Sequence, residues 1–222
     1  LDGSVMRASI LEAPRQLRLV ELSEPVAGDG DVVIRVAATG VCGTDRHIFN
    51  GAYSVAYPAT LGHEYSGEVV MVGNGVQSLA VGDRVTVDPN VVDDECYFCR
   101  RGVDHLCSAL SPLGVARPGG FAEFSALPAR YAYRVPDSLT WQEAAQVEPL
   151  ACCVHGVDQA GITTGDLVAR TNGAIDTTTL NNYFQAAQAI MGPYSTTNLQ
   201  QVVSVVAVDS TGNTTVEWSK GY

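Results

Sequence analysis

Glycine-bounded turns recur along the first half of this 222-residue chain and leave room only for short extended segments. Gly67–Val72 and Asp83–Val87 read as strands, parted by Gly73-Asn74-Gly75 and Ala80-Val81-Gly82. Asp31–Ala38 contains the β-rich run Val32-Val33-Ile34-Arg35-Val36 and ends at Thr39-Gly40. Met6–Val20 alternates apolar and polar residues around Pro14, which predicts a hairpin. Pro118-Gly119-Gly120-Phe121 is a further glycine turn. Short strands with turns about every 8–12 residues predict a β-barrel or sandwich. Cys42-Gly43-Thr44-Asp45-Arg46-His47 opens a helical turn, and Thr140-Trp141-Gln142-Glu143 has the form of a capping box, with a helix running on toward Glu148.

Chemistry concentrates in Gly62-His63-Glu64-Tyr65-Ser66-Gly67, with Cys42-Gly43-Thr44-Asp45 upstream and Glu148-Pro149-Leu150 downstream. Thiolate, imidazole and carboxylate are the donors that bind zinc while leaving a position open. Successive strand residues point to opposite faces, so His63 and Glu64 share a metal only at a strand end or bend. Gly62 makes such a bend available. Cys96, Cys99 and Cys107 lie close together, with Cys42 far off. That spacing favours metal ligation in a reducing cytosol over a disulfide frame. Cys152 and Cys153, inside the apolar run Leu150–Val154, read as free buried cysteines.

From Gly62 to Val76 the chain reads Gly-His-Glu, two residues, Gly, five residues, Gly, two residues, Val. In this it resembles the zinc-dependent medium-chain dehydrogenases, close to the sorbitol, threonine and polyol dehydrogenase branch. The resemblance runs from about Met6 to about Asp166 and implies a GroES-like β-barrel catalytic domain, in which the turn Pro118-Gly119-Gly120-Phe121 precedes a strand that returns to the barrel and is closed by Tyr131–Pro136. It implies Cys42 and His63 as catalytic-zinc ligands, with Glu148 as third ligand where other branches use a cysteine. Glu64 would be an alternate ligand or a close neighbour of the metal, and Asp45 would steady a ligand. Thr44 would hydrogen-bond the substrate alcohol, and His47, one helical turn on, would pass its proton toward solvent. Family members also carry a structural zinc spaced Cys-x2-Cys-x2-Cys-x7-Cys. Here the four positions fall on Asp93, Cys96, Cys99 and Cys107. Aspartate is a harder donor than thiolate, so that site is expected to hold zinc less tightly.

The resemblance further implies a small-molecule alcohol or polyol substrate and hydride transfer to NAD(P), and leaves a homo-oligomer open. A net charge of -11 argues against nucleic acid and anionic membrane as partners. No run of about 18 apolar residues is present to span a bilayer. The first residues lack the layout of a secretory leader, so a cytoplasmic protein is expected.

Beyond Asp166 the character changes. Leu167–Tyr222 sets Arg170 and Lys220 against Asp176, Asp209 and Glu217, so nearly all the excess negative charge precedes it. The tail is rich in Thr, Asn and Gln, and Gly-x-Gly-x-x-Gly, which cradles a dinucleotide pyrophosphate, occurs nowhere in the chain. The sequence therefore divides as 1–166, the zinc-binding barrel, and 167–222, an unrelated tail in place of a Rossmann domain. Thr179 caps an expected helix through Leu180, Phe184, Ala187 and Met191, and Val202–Val208 and Thr214–Trp218 flank a hairpin turn. Asn181–Tyr194 and Val202–Trp218 are similar to the extracytoplasmic part of bacterial TadE/TadG-type pilus-assembly proteins, which suggests a chimeric chain. The fold class expected is mainly β with short helices, followed by a small α+β tail. Without a positioned nicotinamide the chain by itself is expected to be nearly inactive. The alternative reading is a non-catalytic zinc-binding barrel joined to a pilus-assembly-like tail.

Overall fold

A computed structural model describes residues 4–159 and, beyond them, the strand backbones at 166–168, 202–208 and 214–221. The chain falls into two compact units, Leu1–Pro149 and Leu150–Tyr222. The sequence puts its compositional change later, after Asp166; compactness and composition mark different features of the chain.

The first unit is mainly β. The hairpin forms as expected, with β1 (Val5–Ala13) antiparallel to β2 (Gln16–Ser23), and β4 (Ala59–Thr60) pairs with the other edge of β1. A five-stranded antiparallel sheet follows the order β7-β3-β5-β6-β8. Its strands are β3 (Asp31–Thr39), β5 (Tyr65–Val72), β6 (Arg84–Val87), β7 (Phe124–Pro128) and β8 (Ala132–Arg134). Bulges between Val33 and Ile34 and between Val36 and Ala38 bend β3 against β5. At Gly67 a Cβ would lie 2.1 Å from the Arg35 carbonyl oxygen, so only glycine admits this strand crossing.

The core lies against this sheet: Val32, Ile34, Tyr65, Val69, Val85, Val87, Leu113 and Leu127 are all buried in one cluster. Tyr65 and Ser125 share a hydroxyl–hydroxyl hydrogen bond of 2.8 Å there, so the phenol is buried with its polar atom satisfied. The opposite face is covered by α2 (Trp141–Ala145), which packs on β3 and β5 and accepts a bond from Ser66 Oγ at the Trp141 carbonyl. Thr140 and Glu143 form the expected capping box: the Glu143 amide donates to Thr140 Oγ1, and the Thr140 amide donates to Glu143 Oε2. Arg84 fastens this end to β6, donating to the carbonyls of Asp137 and Leu139 with its guanidinium 4.1 Å from the Trp141 ring centre.

The helix expected to reach Glu148 is in fact two. α3 (Val147–Gln159) starts afresh after α2, and Glu148 falls in its first turn. Pro149 is tolerated there because first-turn amides lack intrahelical partners. Cys152 and Cys153 correct the sequence reading: both are exposed, whereas Ala151 and Val154 are buried. An apolar run of five cannot turn every residue inward once it is helical.

In the second unit β10 (Val202–Val208) pairs antiparallel with β11 (Thr214–Gly221) and parallel with β9 (Asp166–Val168). The expected hairpin is therefore present, and β11 extends past Trp218. The helix expected from Thr179 lies outside the described residues. Among the described residues no helix is long and apolar enough to cross a membrane.

Candidate metal centre

The turn before α1 (Gly43–Phe49) and the bend before β5 bring the first set of donors together. Cys42 caps α1, and Gly62 has φ +88°, a left-handed conformation that suits glycine. The space around Gly62 is closed by Phe121, whose ring a Cβ would meet at 2.5 Å, and by Gly114 and Gly119. This bend overrides strand alternation, so His63 and Glu64 both reach one place. One ligand atom each from Cys42, His63 and Glu64 lies within 4.8 Å of the others.

Asp45 builds the arrangement. Its Oδ2 accepts the Cys42 amide at 2.8 Å, its Oδ1 accepts the Gly62 amide at 3.1 Å, and the same Oδ1 lies 3.6 Å from His63 Nδ1. With Nδ1 turned to Asp45, Nε2 is the ring nitrogen left for a ligand. Burial alone would raise the Asp45 carboxyl, but the His63 ring and the Cys42 and Gly62 amides hold it below its ordinary range. His63 moves the other way: burial opposes its charge, but the Asp45 carboxylate and the Cys42 sulfur lift it to about 9.

Cys42, a buried His63 and a buried Glu64 offer one S, one N and one O, a set of donors that an open zinc site can use. Turning a thiolate and a carboxylate on each other away from water is unfavourable without a cation between them. The residues present therefore fit a metal ion. Glu148 is buried in α3 but is not among the three that converge. Thr44 Oγ1 is 3.7 Å from Cys42 Sγ, at the edge of the cluster. His47 is exposed on α1, one turn further along.

The second set converges as well. Ligand atoms of Asp93, Cys96, Cys99 and Cys107 all lie within 4.8 Å of one another, in the lobe between β6 and β7. Cys96 and Cys99 sulfurs are 3.5 Å apart. That is far beyond a disulfide bond of about 2.05 Å and close to the roughly 3.8 Å between thiolates on a tetrahedral zinc. Amides of Cys99 and Ser108 hold the Cys96 thiol down at about 7, and the Cys96 amide leads those that hold Asp93 down at about 2. Burial pushes the Cys99 thiol up.

Sequence reasoning missed what ties this lobe down. Arg130, just past β7, pairs with Asp94, donates to the Val92 carbonyl at 3.1 Å and reaches the Tyr131 hydroxyl at 2.6 Å. The Val92 amide donates to that hydroxyl at 2.9 Å. Both neighbours of Asp93 are thus anchored by a residue that no local spacing connects to the cysteines.

Residues 28–137 match the model of the alcohol dehydrogenase GroES-like domain. The chain is 41% identical over 152 residues to a sorbitol dehydrogenase of Halalkalibacterium halodurans, a match covering 68% of this chain and 44% of that protein. It is similar to the structure of a short chain alcohol dehydrogenase from E. coli CFT073 complexed with NADH. That match has a TM-score of 0.68 and 37% identity, over 75% of this chain and 48% of the other. A cobalt- and zinc-bound thermostable alcohol dehydrogenase from Pyrobaculum aerophilum aligns with a TM-score of 0.67 and 28% identity, over 73% and 50% of the two chains. The chain spans about half the length of the curated relatives it matches.

Proposed function

Because residues 28–137 belong to the alcohol dehydrogenase GroES-like domain family, we propose that this chain carries the metal-binding catalytic half of a zinc-dependent alcohol or polyol dehydrogenase. The observation that carries the reading is the convergence of Cys42, His63 and Glu64 on one point. Zinc held there would supply Lewis acidity toward an alcohol oxygen. Cys42 and His63 are the proposed fixed ligands, and Asp45 keeps both in register. Glu64 is the carboxylate the fold brings to them; Glu148 is the third ligand that the resemblance implies. Thr44 Oγ1 accepts the hydrogen bond of the substrate hydroxyl and, as that proton crosses, releases its own hydroxyl proton toward His47, which is exposed on the same helix and hands it to solvent. The substrate class proposed is a small secondary alcohol or polyol, in keeping with the sorbitol dehydrogenase to which the chain is similar. Asp93, Cys96, Cys99 and Cys107 are proposed as a second, structural zinc site, closed to substrate.

NAD(P) as hydride acceptor follows from the family, and no residue of this chain is assigned to it. None of the six cysteines is in a disulfide, which suits a reducing compartment such as the cytoplasm. The test is zinc per chain in wild type and Cys42→Ser. Two zincs falling to one supports the reading, and an unchanged count overturns it. The missing Gly-x-Gly-x-x-Gly favours a second reading, a zinc-binding module without turnover, its tail similar to pilus-assembly proteins. Saturable quenching of NADH fluorescence would rule that reading out.

A further inference from the structure

Building on the metal centre proposed above, we infer that Gly40 is a positioning residue for Glu64. Its missing side chain is the space in which the Glu64 carboxylate stands beside Cys42 and His63. A Cβ on Gly40 would lie 2.2 Å from Glu64 Oε2, 3.1 Å from its Cβ and 3.3 Å from its Cδ. The three nearest atoms all belong to one acidic side chain, so any backbone atom stands 3.3 Å away or farther. Gly40 is also not among the glycines with positive φ, so its backbone conformation is open to alanine. Neither chain geometry nor backbone crowding calls for glycine here; the carboxylate does.

The two residues cannot drift apart to make room. The Gly40 amide donates to the Glu64 carbonyl at 2.7 Å, just where β3 leaves its pairing with β5. An alanine methyl would therefore displace the carboxylate rather than the strands. The effect differs from that at Gly67, where a Cβ would strike the Arg35 carbonyl and the sheet itself would have to move. Gly43 is the internal control: it adjoins Cys42 in the same turn, and a Cβ there meets nothing within 4 Å.

The experiment uses the full chain with Gly40→Ala, Gly43→Ala, Glu64→Ala and the Gly40→Ala/Glu64→Ala double variant. Zinc affinity is read by chelator competition, and the donor set by the visible spectrum of the cobalt-substituted protein. The signal that survives in Cys42→Ser is assigned to the lobe and subtracted. Gly40→Ala should weaken zinc by about 10–100-fold, the range for residues that orient ligands. It should change the cobalt spectrum as Glu64→Ala does, add nothing in the double variant, and leave Gly43→Ala like wild type. If Gly40→Ala fails to fold, recovery of folding in the double variant supports the role, and failure of both overturns it. Wild-type affinity in Gly40→Ala, or additive losses in the double variant, also overturns it. Should Cys42→Ser bind metal as wild type does, the metal centre itself is wrong. A weakened Cys42→Ser beside a silent Gly40→Ala removes only the role of Gly40.

Discussion

Oδ1 of Asp45 stands 3.6 Å from Nδ1 of His63, while Oδ2 of the same carboxylate accepts the Cys42 amide at 2.8 Å. One side chain thus sets the separation of two proposed ligands that are far apart in sequence. Asp45→Asn keeps the shape and removes the charge that orients the imidazole. Zinc at this site should weaken by about 10–100-fold in chelator competition. An affinity equal to wild type would mean that His63 is aligned by something else.

The lobe offers a change in the opposite direction. Asp93→Cys replaces the one oxygen donor among three thiols, and zinc prefers the softer set in closed sites. The variant should keep zinc at chelator concentrations that strip the wild-type lobe, measured as zinc per chain after dialysis. Equal loss from both proteins would argue against Asp93 as a ligand.

Arg130 grips Val92 and Asp94, on either side of Asp93, so its removal should loosen the lobe without touching a ligand. Arg130→Ala is expected to lower zinc retention in the lobe and leave the Cys42 site unchanged. Hydrogen exchange should show faster opening of residues 91–110 in the variant. Exchange identical to wild type would rule out the anchoring role.

Ile34 is fully buried in the sheet's core cluster. Ile34→Ala should cost about 2–5 kcal/mol in a urea unfolding curve, from lost transfer energy and the cavity left behind. A cost below about 1 kcal/mol would place that residue outside a packed core.

Asp83 accepts from Arg134 at 2.7 and 2.8 Å and from the Ala80 amide at 2.8 Å, and the Arg134 bond leads in holding its carboxyl below the ordinary range. A lowered folded-state pKa contributes stability above the unfolded value, near 3.9, and loses it as pH falls through the folded one. Asp83→Asn should therefore be less stable than wild type at neutral pH, with the gap closing in strong acid. A gap constant with pH would show that the charge contributes nothing.

Much of this was legible in the chain itself. Glycine turns and β-rich runs marked β1 to β3, β5 and β6, because turns of this kind are fixed by residues next to one another; the single strand expected to close at Tyr131–Pro136 is instead two, β7 and β8, at opposite edges of the sheet. The clustered donors were legible for a similar reason: Gly62-His63-Glu64 and Cys96-x2-Cys99 set theirs in nearby positions, whereas Glu148, read from far along the chain, is not among the three that converge. What escaped depends on contacts across the fold. Arg130 reaches Asp94 from the far side of β7, and Gly40 meets Glu64 only once β3 and β5 are paired. The outward turn of Cys152 and Cys153 escaped because a five-residue apolar run does not show its helical face.

The stretch from Val87 to Phe124, which joins β6 to β7 and holds the lobe, adds no strand to either sheet of the first unit. Its ends are fixed on β6 and β7, which β5 and β3 separate in the sheet, and the entropy of closing a flexible loop grows by only about 0.6 kcal/mol for each doubling of its length. Insertions between Cys99 and Cys107 should therefore be cheap. The same insertion between Cys42 and Asp45 would part the Cys42 amide from the carboxylate oxygen that accepts it at 2.8 Å. The protein thus has one segment in which its length can vary freely and another in which a single residue is already too many.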